Sequence, residues 1–101
     1  MLNFLTLCDD ALLKLSQTIE AQDKNSKLDV EYSDGILEII IIATKQTYII
    51  NRNSGNQKIW YSSPFTGADY FSFDGKFWVN AKGESVEEKL VSELKKFSIY
   101  T

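Results

Sequence analysis

Apolar and polar positions divide the chain into two helical stretches with a run of strands between them. Over residues 3–23, Phe4, Leu7, Cys8, Ala11, Leu12, Leu15 and Ile19 fall on one side of a helix. Asp9, Glu20 and Asp23 fall together on the other side, with Asp10 at its edge. Positions 9 and 20 are about 16 Å apart along such a helix, so these carboxylates form a row rather than a cluster. Asn25-Ser26 ends the helix. Leu28, Val30 and Tyr32 then alternate with Asp29, Glu31 and Ser33, the pattern of a half-buried strand. Asp34-Gly35 is a hairpin turn signal. It leads into a β-branched strand over residues 36–43, and 43–46 form a short connection. Further strands are expected at 47–51, 58–62, 69–73 and 77–80. Turns at 53–56 and at Asp74-Gly75 and a loop at 65–68 separate them. Ser85 and Glu88 form a capping box that opens a last helix, 85–97, with Val86, Leu90, Val91, Leu94 and Phe97 as its apolar stripe.

This order predicts an α+β fold in which both helices cover one face of an antiparallel sheet of about five to six strands. The other face then meets solvent, and any large side chain on it needs a reason. Trp60 is the case in point. Ile59 and Tyr61 point opposite to it, so if Ile59 faces the helices, Trp60 faces water. The alternative is a core tryptophan.

Composition narrows the chemistry. The chain has 101 residues, the size of one domain over 1–101, with 44% hydrophobic and 25% charged residues. The longest apolar run, residues 39–43, is too short to span a bilayer. The N-terminal residues carry no basic leader, so a cytosolic protein is expected, although the mature form of an imported protein would read the same way. One cysteine, Cys8, rules out a disulfide within the chain, and its place on the apolar side of the helix marks a core residue. There is no histidine, which removes Ser-His and Cys-His nucleophiles and histidine acid–base catalysis and weighs against an enzyme. The net charge of −3 is uneven: residues 1–34 hold seven acids and three lysines, whereas 35–101 hold seven acids and eight bases. Phosphate binding needs clustered Lys and Arg, so nucleic acid is not an expected partner. Cations or a basic protein surface suit the acidic third.

The middle of the chain carries a further pattern. Tyr48-Ile49-Ile50-Asn51-Arg52 is followed by Gln57-Lys58-Ile59-Trp60-Tyr61-Ser62-Ser63-Pro64, then Gly67, then Asp74-Gly75-Lys76-Phe77-Trp78. This succession resembles the frataxin family. The acidic first helix, the Asp29 to Leu37 hairpin and the Gly83-Glu84-Ser85 cap before the last helix fit as well, so the resemblance runs over about residues 4–97.

The resemblance implies a two-layer α–β sandwich, monomeric with metal-dependent self-association in some members. It implies weak ferrous and ferric iron binding on an acidic ridge of the first helix and strand, here Asp9, Asp10, Glu20, Asp23, Asp29 and Glu31. Carboxylates without histidine or thiolate suit hard cations and leave them largely hydrated. Leu13 and Gln17 stand where acids are often found, and Lys14 and Lys27 add positive charge, so a thinner ridge and weaker iron binding are expected.

The resemblance further implies docking on the cysteine desulfurase and iron–sulfur scaffold protein, centred on Trp60 with Asn51, Arg52, Asn53 and Ser62 around it. Tyr70 occupies the place of a basic residue that some members use there. The function implied is an accessory one in cluster assembly, modulating sulfur transfer or delivering ferrous iron, in a bacterial cytoplasm, a mitochondrial matrix or a related organelle. A ferroxidase or a metal-independent binding domain are the alternatives. The first needs closely spaced ligands, and the sequence has no Glu-x-x-His motif.

Overall fold

The computed structural model describes residues 3–97. Helix α1 (Phe4–Gln22) is followed by strands β1 (Leu28–Ser33), β2 (Ile36–Ile41), β3 (Thr47–Asn53), β4 (Lys58–Ser63), β5 (Gly67–Phe73) and β6 (Trp78–Val79), and helix α2 (Val86–Lys96) closes the order. The six strands pair in sequence order, each antiparallel to the next. The α+β architecture expected from the sequence is the one observed.

Both helix starts are capped as their residues dictate. Asn3 Oδ1 accepts the Thr6 N–H at 2.9 Å. Ser85 and Glu88 exchange side chain–backbone bonds in a full capping box. After α1 the chain turns on Asp23, whose two carboxylate oxygens accept the N–H groups of Lys27 and Leu28, each at 2.9 Å.

The core lies between the helices and one sheet face. Cys8, Leu12, Leu15 and Ile19 of α1 and Val86, Leu90 and Leu94 of α2 meet Leu37, Ile39, Tyr48, Ile50, Ile59, Tyr61 and Phe71. Cys8 is fully buried, and burial, with the Asp9 charge beside it, pushes its thiol up to about 12. It is an inert core residue. Trp78 is also buried, packed edge-on to Phe4.

Several boundaries differ from expectation. The second strand ends at Ile41 rather than at 43, because the chain turns there: Lys45 N–H closes onto the Ile41 carbonyl at 2.7 Å, with Lys45 at φ 65°. β3 runs on to Asn53 because Asn53 still pairs with Lys58. Gly67 and Ala68, expected in a loop, pair with Ser63 and Ser62 and lengthen β5. The sixth strand shrinks to two residues, since Asp74 Oδ1 captures the Lys76 and Phe77 N–H groups and holds the turn up to Phe77.

One polar device fastens α2. Glu93 is 6% exposed in the middle of the apolar stripe. Its carboxylate accepts hydroxyl bonds from Tyr61 (2.7 Å), Thr66 (3.1 Å), Tyr48 (3.3 Å) and Ser63. A buried carboxylate needs such donors. Burial and the Glu93 contact together raise the Tyr61 phenol well above its ordinary range. Nearby, Lys89 pairs with Asp69 at 2.8 Å. Burial alone would raise the Asp69 carboxyl, but Lys89, Asn80 and the Tyr70 N–H outweigh it and hold it below its usual value.

Candidate docking face and acidic surface

The uncovered face of the sheet follows from alternation. Ile59 and Tyr61 are fully buried against the helices, and Trp60 between them is 41% exposed on the open face. Its cross-strand partners are Asn51 on β3 and Tyr70 on β5. Trp60 and Tyr70 stack with ring centroids 5.7 Å apart and planes 11° from parallel. Lys58 stands over the Tyr70 ring at 6.0 Å. Asn53 shares this face through its pairing with Lys58, and Ser62 through its pairing with Ile49. Asn51 Nδ2 donates to the Arg52 carbonyl at 3.1 Å, and Asn53 Oδ1 accepts the Gly55 N–H at 3.1 Å, so both amides are oriented by their own backbone.

Arg52 corrects the sequence reading. It pairs with Ile59, so it points to the helix side and does not surround Trp60. Its guanidinium passes over Gly35 and binds Asp9 Oδ1 at 2.7 Å. A Cβ at Gly35 would stand 2.6 Å from Arg52 Nε. Tyr32 donates its hydroxyl to the same Asp9 oxygen at 2.9 Å. Burial first, then this bond, raises the Tyr32 phenol to about 12.

The six ridge carboxylates are thus not equivalent. Asp9 is held by Arg52 and Tyr32, and Asp23 by two backbone N–H groups. Asp10 and Glu20 are exposed on α1. Asp29 and Glu31 are exposed on edge strand β1, on the open side, because they pair with Ile40 and Glu38. Among the described residues no three acid or cysteine side chains come together as a chelating group. The surface suits cations held by one or two carboxylates and their own water.

Sequence reasoning did not reach Glu93, the Asp69–Lys89 pair, or the double use of Gly35. The placement of an acid inside the stripe of α2 was the available signal for the first.

Comparison with known proteins agrees with this arrangement. Residues 1–98 match the model of the frataxin-like domain. The mitochondrial frataxin homolog of Drosophila melanogaster is 34% identical over 97 residues, covering 87% of this chain and 51% of the relative, so the chain spans about half that protein's length. Trimeric frataxin from Saccharomyces cerevisiae with its full-length N-terminus superposes with a TM-score of 0.71 at 28% identity, over 95% of this chain and 79% of that one. A ferrous complex of the trimeric yeast protein superposes with a TM-score of 0.67 at 31% identity, over 86% and 78% of the two chains. With its acidic first helix, its six-stranded antiparallel sheet and its helices on one side, this chain belongs to the frataxin family, known as iron-binding proteins.

Proposed function

We propose that this protein is an iron-binding accessory factor of iron–sulfur cluster assembly. It docks on the cysteine desulfurase–scaffold complex through the open sheet face and changes the rate of sulfur transfer, while its acidic surface attracts ferrous iron. The observation that carries the docking part is Trp60, a large ring 41% exposed at the centre of a sheet face that neither helix covers. An exposed tryptophan between polar neighbours is a natural interface anchor. The ferrous complex of a yeast relative supports iron as the metal. The trimeric yeast structures support self-association of this chain. The mitochondrial relative supports a mitochondrial matrix or a derived organelle.

We place the protein outside the enzymes. Oxidation of ferrous iron by a ferroxidase needs ligands converging from several segments. The described carboxylates are dispersed or already hydrogen-bonded.

The test is the sulfide production rate of the cognate desulfurase–scaffold complex with wild type and with Trp60→Ala. Wild type changes the rate and Trp60→Ala loses at least most of that change. An unchanged rate with wild type, with and without ferrous iron, sinks the proposal.

A further inference from the structure

On the helix side of the sheet, away from Trp60, a groove of about 420 Å³ opens between α1, the turn from β5 to β6 and the start of α2. This is the size range of small-molecule sites, which combine an apolar lining with a few polar groups. Leu7, Ala11 and Leu15 of α1 and Val86 of α2 form an aliphatic side. Phe73, Phe77 and Trp78 form an aromatic one. The aromatic side is held in place by its own turn. Asp74 Oδ1 accepts the Lys76 N–H at 2.8 Å and the Phe77 N–H at 2.7 Å, and the Asp74 N–H donates to the Phe77 carbonyl at 2.9 Å. The turn so fixed presents Phe77, 53% exposed, to the groove. A surface ordered in advance lowers the cost of binding.

Four charged side chains line the same groove: Asp10 and Lys14 on α1, Lys76 on the turn and Glu87 on α2. Asp10 and Lys14 are four residues apart, acid first, the spacing at which a helix surface favours an ion pair. Among the described residues, however, none of the four is in one. Lys76 instead stands over the Phe77 ring, 5.3 Å from its centroid. Two cations and two anions thus surround an apolar groove without neutralising one another. That set suits a ligand with both charges on an apolar body, rather than a simple anion or cation. Spacing narrows its size. Four helical residues rise about 6 Å, and the two ends of an extended dipeptide lie about 7 Å apart. Successive side chains of an extended peptide point opposite ways, which matches a groove with one aliphatic and one aromatic side.

We propose that this groove binds a short apolar peptide with free ends. Its ammonium meets Asp10, its carboxylate meets Lys14, and its two side chains lie on the aliphatic and aromatic sides. Lys76 and Glu87 add one charge of each sign at the other walls. The site is separate from the docking face, and its test needs no partner protein.

An NMR titration of the whole chain with L-leucyl-L-phenylalanine supplies that test. The dipeptide shifts the Lys76, Phe77 and Glu87 amides and the Trp78 indole N–H. Amidating its carboxylate or acetylating its amine weakens binding about threefold each, the scale of one screened charge contact. In Lys14→Gln the free acid and its amide bind alike. In Asp10→Asn the free amine and its acetyl derivative bind alike. A dispersed spectrum shows that each variant folds. Lys95→Gln removes a charge from a neighbouring groove of α2 and keeps both preferences. Phe77→Ala, at an exposed ring, weakens the dipeptide several-fold. No shift at millimolar dipeptide, equal affinity for the doubly capped form, or shifts centred on Trp60 would each overturn the proposal. So would preferences for the free ends that persist in Lys14→Gln and Asp10→Asn, or that vanish equally in Lys95→Gln.

Discussion

Gly35 shows how much one residue can carry. Asp34 and Gly35 both have positive φ, 51° and 77°, as a tight hairpin turn requires. The missing Cβ also lets the Arg52 side chain cross to Asp9. Alanine at this φ costs about 1 kcal/mol. Pushing the arginine off its path adds the loss of an ion pair, about 0.5–1 kcal/mol for a partly exposed one. Gly35→Ala therefore destabilises by about 2 kcal/mol in urea denaturation. In an Arg52→Ala background the obstruction is gone, and the same change costs only about 1 kcal/mol, the backbone part. Strict additivity of the two substitutions would show that Arg52 moves aside freely and that its path over Gly35 is incidental. The turn was legible in the sequence because its chemistry lies in adjacent residues. The path of Arg52 was not, because it depends on which side of β3 faces the helices.

At the scale of elements, α2 is the informative case. Its stripe of Val86, Leu90 and Leu94 was readable from spacing and is buried as expected. Glu93 lies within that stripe and reads as a solvated acid until the four hydroxyls from β3, β4 and the following loop are seen around it. Removing the acceptor leaves these donors without their partner, at a cost of about 1–3 kcal/mol for a buried group. Glu93→Ala adds a cavity, for a total loss of about 3 kcal/mol or more. Glu93→Gln keeps one acceptor oxygen and the volume, and loses about half as much. Amide hydrogen exchange should localise the effect: α2 loses protection first in Glu93→Ala, while β2 and β3 retain theirs. A uniform loss across the sheet would mean that Glu93 supports the whole core rather than the seat of one helix.

For the whole molecule, the alternation of the strands and the charge asymmetry were legible, and together they placed the helices, the open face and Trp60. The use of each carboxylate was not, because hydrogen bonding between distant segments decides it. Asp9 and Asp23 sit on the acidic side of α1 but are already engaged, which leaves Asp10 and Glu20 as its free acids. Ten residues apart, these lie about 15 Å from each other along the helix and cannot share an ion. Anaerobic titration with ferrous iron should accordingly find no site on α1 tighter than about 10⁻⁴ M, the range of sites with few and loosely placed ligands. Arg52→Gln frees Asp9 beside Asp10 and should tighten binding about two- to fivefold, the size of one screened charge contact. Lys14→Gln removes the same charge from α1 and frees no carboxylate, so it should tighten binding less. Equal gains from both variants would mean that net charge alone governs iron on this surface. A larger gain from Arg52→Gln would mean that the internal ion pair of Asp9 competes with the metal, and that the fold gives up part of its iron affinity to tie α1 to the sheet.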